Sequence, residues 1–146
     1  MSDIQQKISQ KAPEPVGSYP HAKQVGNLLF LSGVGPRQRG QKQIPGVTLS
    51  ESGEVLDYDV KIQTRAVIEN VRLVLQDSGL ELSDLVDVQC FLTNMKKDFK
   101  DFNAVYAEHF SVESGPTRTT VEVGALPTPI AVEFKAIALM KNSKDV

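Results

Sequence analysis

The apolar positions of this chain change their period three times beyond Asp59, and that alternation restricts its possible folds more than any other feature. From Asp59 to Asp77, Val60, Val67, Val71, Val74 and Leu75 fall near one helical face, and Ser78-Gly79 ends the run. "DLVDVQCFLTNM" then reads as a strand, almost continuously apolar in its second half and so expected to be covered on both faces. A second helix follows in "DFKDFNAVYAEHF", capped by Asp98, with Phe99, Phe102, Tyr106 and Phe110 along one stripe. After the Gly115-Pro116 break, "TRTTVEVGAL" and "AVEFKAIALM" read as two strands. The "PTP" between them is too short for a crossover helix, so they are expected to pair antiparallel.

Upstream, Gly26-Asn27 is a turn pair before an apolar run, which predicts a hairpin into a strand over Leu28 to Val34. Ser32-Gly33 lies in that strand, where glycine weakens the strand unless a bulge or a close approach needs it. The polar stretch from Gly35 to Gly53 is long for a structureless loop, and such loops are usually functional or disordered. The order predicts an α+β layer of two helices on a mixed sheet. With 146 residues the chain is expected to form one domain over 1–146, with 1–12 and 141–146 peripheral.

Composition excludes several functions. A net charge of -2 argues against nucleic acid as the main partner, because phosphate backbones need clustered Lys and Arg. Cys90 is the only cysteine, so neither an intrachain disulfide nor a Cys-rich metal site is available, and it reads as a small buried hydrophobe. No apolar stretch approaches the length of a membrane span, and the polar start "MSDIQQKISQK" lacks a signal-peptide core, so a cytoplasmic protein is expected.

No GxSxG elbow, Walker loop, HExxH or GxGxxG is present. The two histidines carry no accompanying carboxylate motif, so no metal site is expected. His109 ends the aromatic-faced helix, where a cation suits the dipole, and reads as structural. His21, beside Pro20, is either structural or a pocket residue. Strand alternation sets Arg118, Thr120 and Glu122 on one face, and Ala131, Glu133 and Lys135 on one face of the last strand. Periodicity alone leaves Arg118 and Glu133 as either site residues or solvated charges, Glu133 forming a surface ladder with Lys135.

The ordered set "GSYPHA", "LLFLSGVGP", "NVRLVL", "DFNAVYAEHF", "PTRTTVEVGALP" and "VEFKAIA" resembles the Rid family of reactive intermediate deaminases, also called YjgF-like, from about Pro13 to Leu139. The resemblance implies a chorismate-mutase-like fold and a homotrimer with a site in each cleft between subunits, without metal or cofactor. It implies hydrolysis of a 2-imino or enamine acid to a 2-keto acid and ammonia. On that basis Arg118 would grip the substrate carboxylate, and Glu133 would handle water near the imine carbon. Tyr19 and Asn103 would line the cleft, and the backbone of Gly33 would approach the ligand. Thr120 stands where many members carry cysteine, so thiol chemistry is not required here.

The basic loop "GPRQRGQKQIPGVTLSESGEVLDYD", with "DYDVKIQTRA" and "ALPTPIAVE", is similar to the 2-aminomuconate deaminase branch. That substrate is a dicarboxylate, and Arg37 and Arg39, with Lys42 nearby, are candidates for its second carboxylate. Two other outcomes stay open: a broad-specificity 2-iminoacid deaminase, and a non-catalytic trimer binding a metabolite or nucleic acid.

Overall fold

The computed structural model describes residues 3–141. The hairpin forms as expected: β2 (Ala22–Val25) and β3 (Leu28–Leu31) pair antiparallel, with Gly26 at a φ of 60° in the turn. That left-handed conformation favours glycine, which has no Cβ to clash. Regular pairing of β3 stops at Leu31, three residues short of expectation, and Val34 makes only an isolated bridge to Phe134. Ahead of the hairpin, β1 (Ile4–Lys7) adds an edge strand that the polar sequence did not announce. An edge strand of mostly polar residues needs only backbone pairing to hold it. The tail expectation for 142–146 falls outside the described residues.

The 35–53 segment is not wholly structureless. β4 (Val47–Leu49) pairs with β5 (Val55–Tyr58) in a separate two-stranded sheet. Helix α1 (Val60–Gln76) then follows, its N-terminus capped by Asp59, whose carboxylate accepts from the backbone of Lys61 and Ile62. Val67, Val71, Val74 and Leu75 are all buried, as the period required. β6 (Leu85–Leu92) and α2 (Met95–His109) come next. The cap of α2 is Asn94, not Asp98. Asp98 sits in the first turn, only 2% exposed, where it accepts the Tyr58 hydroxyl at 2.6 Å. Both residues suit a helix start, and the chain's entry from β6 selects the earlier one.

The last strands, β7 (Thr117–Glu122) and β8 (Val132–Leu139), do not pair with each other. β6 lies between them, parallel to β7 and antiparallel to β8, in a six-stranded order β1-β2-β3-β8-β6-β7. A short linker limits what can lie between two strands in sequence but not in space, and β6 takes that place. α2 serves as the crossover of the parallel β6–α2–β7 unit and leaves β7 at the sheet edge.

Both helices cover one face of this mixed sheet. Alternate residues Val132, Phe134, Ala136 and Ala138 of β8 are buried beneath them, together with Val88, Cys90 and Leu92 of β6. Among the described residues no layer covers the other face, so β6 is covered on one side only: Gln89 is exposed and Phe91 half-buried. No helix among the described residues is long and apolar enough to cross a membrane.

Candidate functional site

The residues singled out from the sequence fall into clusters on the two sides of the sheet. On the helix side, edge strand β7 sets Arg118 beside Val88 and Thr120 beside Cys90. Arg118 is half-buried under α2, its guanidinium carbon 4.6 Å from the ring centre of Tyr106, 5.3 Å from Phe102 and 6.0 Å from Phe99. These are cation–π distances, and the rings hold the fork without using its N–H donors. Arg118 makes no ion pair or hydrogen bond among the described residues. Asn103 lies one helical turn from Phe99 and Tyr106, on the same side of α2.

Around this arginine, the hydroxyls of Thr120 and Tyr106 are buried without a hydrogen-bond partner among the described residues. Burial pushes the Tyr106 phenol up to about 12, so it stays a neutral donor. The Cys90 thiol is likewise pushed up to about 12, chiefly by burial and against the pull of Arg118. That makes it an inert thiol near neutral pH. The cluster therefore offers a charged fork and neutral hydroxyls to an anion.

Glu133 faces the uncovered side, in register with Phe91 of β6. Its carboxyl presses on Gly33: a Cβ there would come within 2.8 Å of Oε2. Only glycine lets backbone and carboxyl meet so closely, which accounts for the residue that weakens the end of β3. Burial raises the Glu133 pKa, and the charge of Arg37 works against that rise. The charge ladder is absent, because Lys135 donates its ammonium to the carbonyl of Leu31 instead. Glu133, Gly33, Tyr19 and Arg37 line one cleft of about 480 Å3, closed by Thr128 and Ile130. These last two were missed; the "PTP" turn marked their loop but not where it would lie.

The loop arginines separate. Arg37 reaches the cleft while donating to the Glu14 carbonyl at 2.8 Å. Arg39 turns away: it donates to the carbonyls of Ala12 (2.8 Å) and Ser9 (2.9 Å) and pairs with Glu14 at 3.0 Å. His21, only 7% exposed, holds the same strap, with Nδ1 2.9 Å from the backbone N of Ser9 and Nε2 2.8 Å from the Pro13 carbonyl. His109 Nδ1 lies 3.0 Å from the Val105 carbonyl on its own helix.

Residues 9–140 match the family model described as endoribonuclease L-PSP. The chain belongs to the endoribonuclease L-PSP family. Other members carry RutC, YjgF and reactive intermediate deaminase names, so the resemblance to Rid proteins holds at family level. A RutC family protein of Pyrococcus abyssi is 41% identical over 131 residues, covering 90% of this chain and 93% of its own. Reactive Intermediate Deaminase A of Arabidopsis thaliana, a chloroplastic protein, is 35% identical over 132 residues, covering 90% of this chain and 64% of its own. Among solved structures, E. coli TdcF with bound serine superposes with a TM-score of 0.78 at 29% identity, covering 94% of this chain and 99% of that one. The two-helix, mixed-sheet architecture is thus that of the family.

Proposed function

We propose that this protein hydrolyses 2-imino and 2-enamino acids to 2-keto acids and ammonia, at sites assembled between copies of the chain. The carrying observation is Arg118: a half-buried cation bedded on aromatic rings, without a counterion among the described residues, beside hydroxyls that find no partner among them either. Such a fork suits a planar carboxylate held bidentately. The relative named as a reactive intermediate deaminase supports the reaction class, and the serine in TdcF supports a small amino-acid-like ligand.

In this mechanism Arg118 clamps the carboxylate next to the reacting carbon, with Thr120 and Asn103 alongside. The enamine takes a proton on carbon as its nitrogen gives one up, becoming the imine, the more electrophilic tautomer. Water adds to the imine carbon, its proton passing to Glu133 as general base, and the nitrogen is protonated. The carbinolamine then loses ammonia as its hydroxyl proton departs and the carbonyl forms. A carboxyl whose pKa is raised by burial is better matched to giving and taking protons near neutrality. Glu133 and Arg118 lie on opposite sheet faces, so a complete site needs Arg118, Thr120 and Asn103 of one copy and Tyr19, Gly33, Arg37 and Glu133 of another. A closed trimer supplies such a pairing at every interface. The uncovered sheet face, with Phe30, Phe91, Val121 and Ile137, offers the apolar surface for it.

The finer reading is 2-aminomuconate as substrate, giving 4-oxalocrotonate in the degradation of aromatic compounds. Arg37 favours it, because it brings a second cation to the Glu133 cleft. Arg39 does not contribute directly, since its donors are already engaged. Ammonia release should be measured with 2-aminomuconate and with a monocarboxylic 2-imino acid, for the wild-type chain and Arg37→Ala. Selective loss of the diacid activity supports the finer assignment, and equal loss leaves the broad deaminase. Absence of turnover on either substrate, with salt-dependent RNA binding or cleavage instead, rejects the deaminase altogether.

A further inference from the structure

Behind Ile130 the fold holds a second concavity that deamination does not use. It lies between β5, α1 and the segment entering β8, and measures about 320 Å3. Val55, Pro129 and Ile130 give it apolar walls, and Tyr58, Thr93 and Gln63 complete it. Ile130 also lines the Glu133 cleft, so this side chain borders both spaces.

Gln63 is the decisive wall. Its side chain is fully buried, and its Oε1 accepts from the backbone N–H of Ala131 at 2.8 Å. Its Nε2 is buried with no partner among the described residues. The amide cannot turn round, because that would set its NH2 against the Ala131 N–H. A buried donor left unmet costs about 1–3 kcal/mol, which an acceptor brought from outside would offset.

The neighbouring groups define that acceptor. The Tyr58 hydroxyl is committed to Asp98, and Asp98 places a buried carboxylate behind the wall. No cationic side chain lines the space. Lys97 stacks over the Tyr58 ring but is not among the lining residues, so an anion inside would be desolvated without a direct counter-charge, whereas a neutral carbonyl would lose little. We propose that this cavity binds a small neutral molecule with a compact aliphatic body and one carbonyl oxygen, the oxygen accepting from Gln63 Nε2. The anionic substrate of the Glu133 cleft is excluded by the same chemistry, so the two sites take different ligands.

Isobutyramide is a suitable probe, titrated into the full chain carrying labelled Ile and Val methyl groups and followed by NMR. Saturable shifts are expected at Ile130 and Val55. Isobutyrate and isopentane, which add a charge or lack the acceptor, should bind at least about tenfold more weakly, the value of one hydrogen bond. Gln63→Met, similar in length and without a donor, should weaken isobutyramide by about tenfold. Val55→Trp, made from an exposed hairpin position, fills the mouth of the cavity and should abolish binding even if the Gln63 variant fails to fold. The proposal is overturned if isobutyramide gives no saturable shifts, if isobutyrate binds as well, or if crystals soaked with isobutyramide show only an ordered water on Gln63.

Discussion

Arg118 and Glu133 stand on opposite faces of one sheet: Arg118 is in register with the buried Val88, and Glu133 with Phe91 on the uncovered face. No side-chain rotation brings them together, because the backbone between them is the sheet itself. If both act on one substrate, they come from different copies of the chain. Mixing settles this. Arg118→Ala and Glu133→Gln homo-oligomers should each lose roughly 100-fold or more of the deaminase activity while remaining folded. Unfolded together and refolded as mixed trimers, they should recover about a quarter of wild-type activity, since one interface in four pairs two intact residues. No recovery on mixing would place the whole site within one chain.

Glu133→Gln also tests the electrostatics. Burial raises the folded-state pKa of this carboxyl above its unfolded value. Its contribution to stability is therefore full below the unfolded pKa and declines as pH rises through the folded pKa. Thermal melts should show Glu133→Gln more stable than wild type near pH 7, with the gain vanishing in acid. Removing Arg37, whose charge opposes the rise, should move the acidic limb of the pH–rate profile to higher pH. An unmoved limb would show that the limb belongs to another group.

Gly33→Ala places a methyl group 2.8 Å from where Glu133 Oε2 now lies. The contact is with the end of a flexible side chain, so the carboxyl can swing aside and the fold should survive. A displaced general base is the expected result. kcat should fall roughly 10- to 100-fold with little change in melting temperature. A variant of normal kcat would mean that the position of Glu133 is immaterial.

Arg39 and Arg37 should separate in their effects. Arg39→Ala leaves the Ser9 and Ala12 carbonyls without their donor and frees Glu14, at an expected cost of about 1–2 kcal/mol in denaturant titrations. Its effect on substrate preference should be small. Arg37→Ala should do the reverse, with nearly unchanged stability and altered discrimination between mono- and dicarboxylic substrates.

Tyr58→Phe strips a 2.6 Å hydrogen bond from a carboxylate that is 2% exposed. Equilibrium unfolding should register a loss of about 2 kcal/mol near neutral pH. Restoration of that loss in Tyr58→Phe, Asp98→Asn would identify the stranded charge as its cause.

Much of the fold was open to reading because it depends on local rules. The Val60–Leu75 period, the Gly26-Asn27 turn and the aromatic stripe of α2 each report which side of an element meets the core, and each formed. β1 escaped notice because its polar residues take their place from backbone pairing with β2, which leaves no apolar mark. Asp98 misled because a carboxylate near a helix start looks alike as a cap or as a buried acceptor. The partner that decided its role, Tyr58, is 40 residues away.

The β2–β3 hairpin, both helices, strands β6 to β8, the alternation that sets Arg118 and Glu133 on their strand faces, and the family resemblance could all be read along the chain, whereas β1 and the β4–β5 hairpin could not. Only the tertiary structure decided that β6 separates β7 from β8, that aromatic rings rather than a carboxylate hold Arg118, and that Arg39 braces a strap while Arg37 enters the cleft. Periodicity is a property of neighbours along the chain, within reach of a few residues. Strand order, counterions and the partners of a loop arginine depend on contacts between distant segments, and these exist only once the backbone has closed.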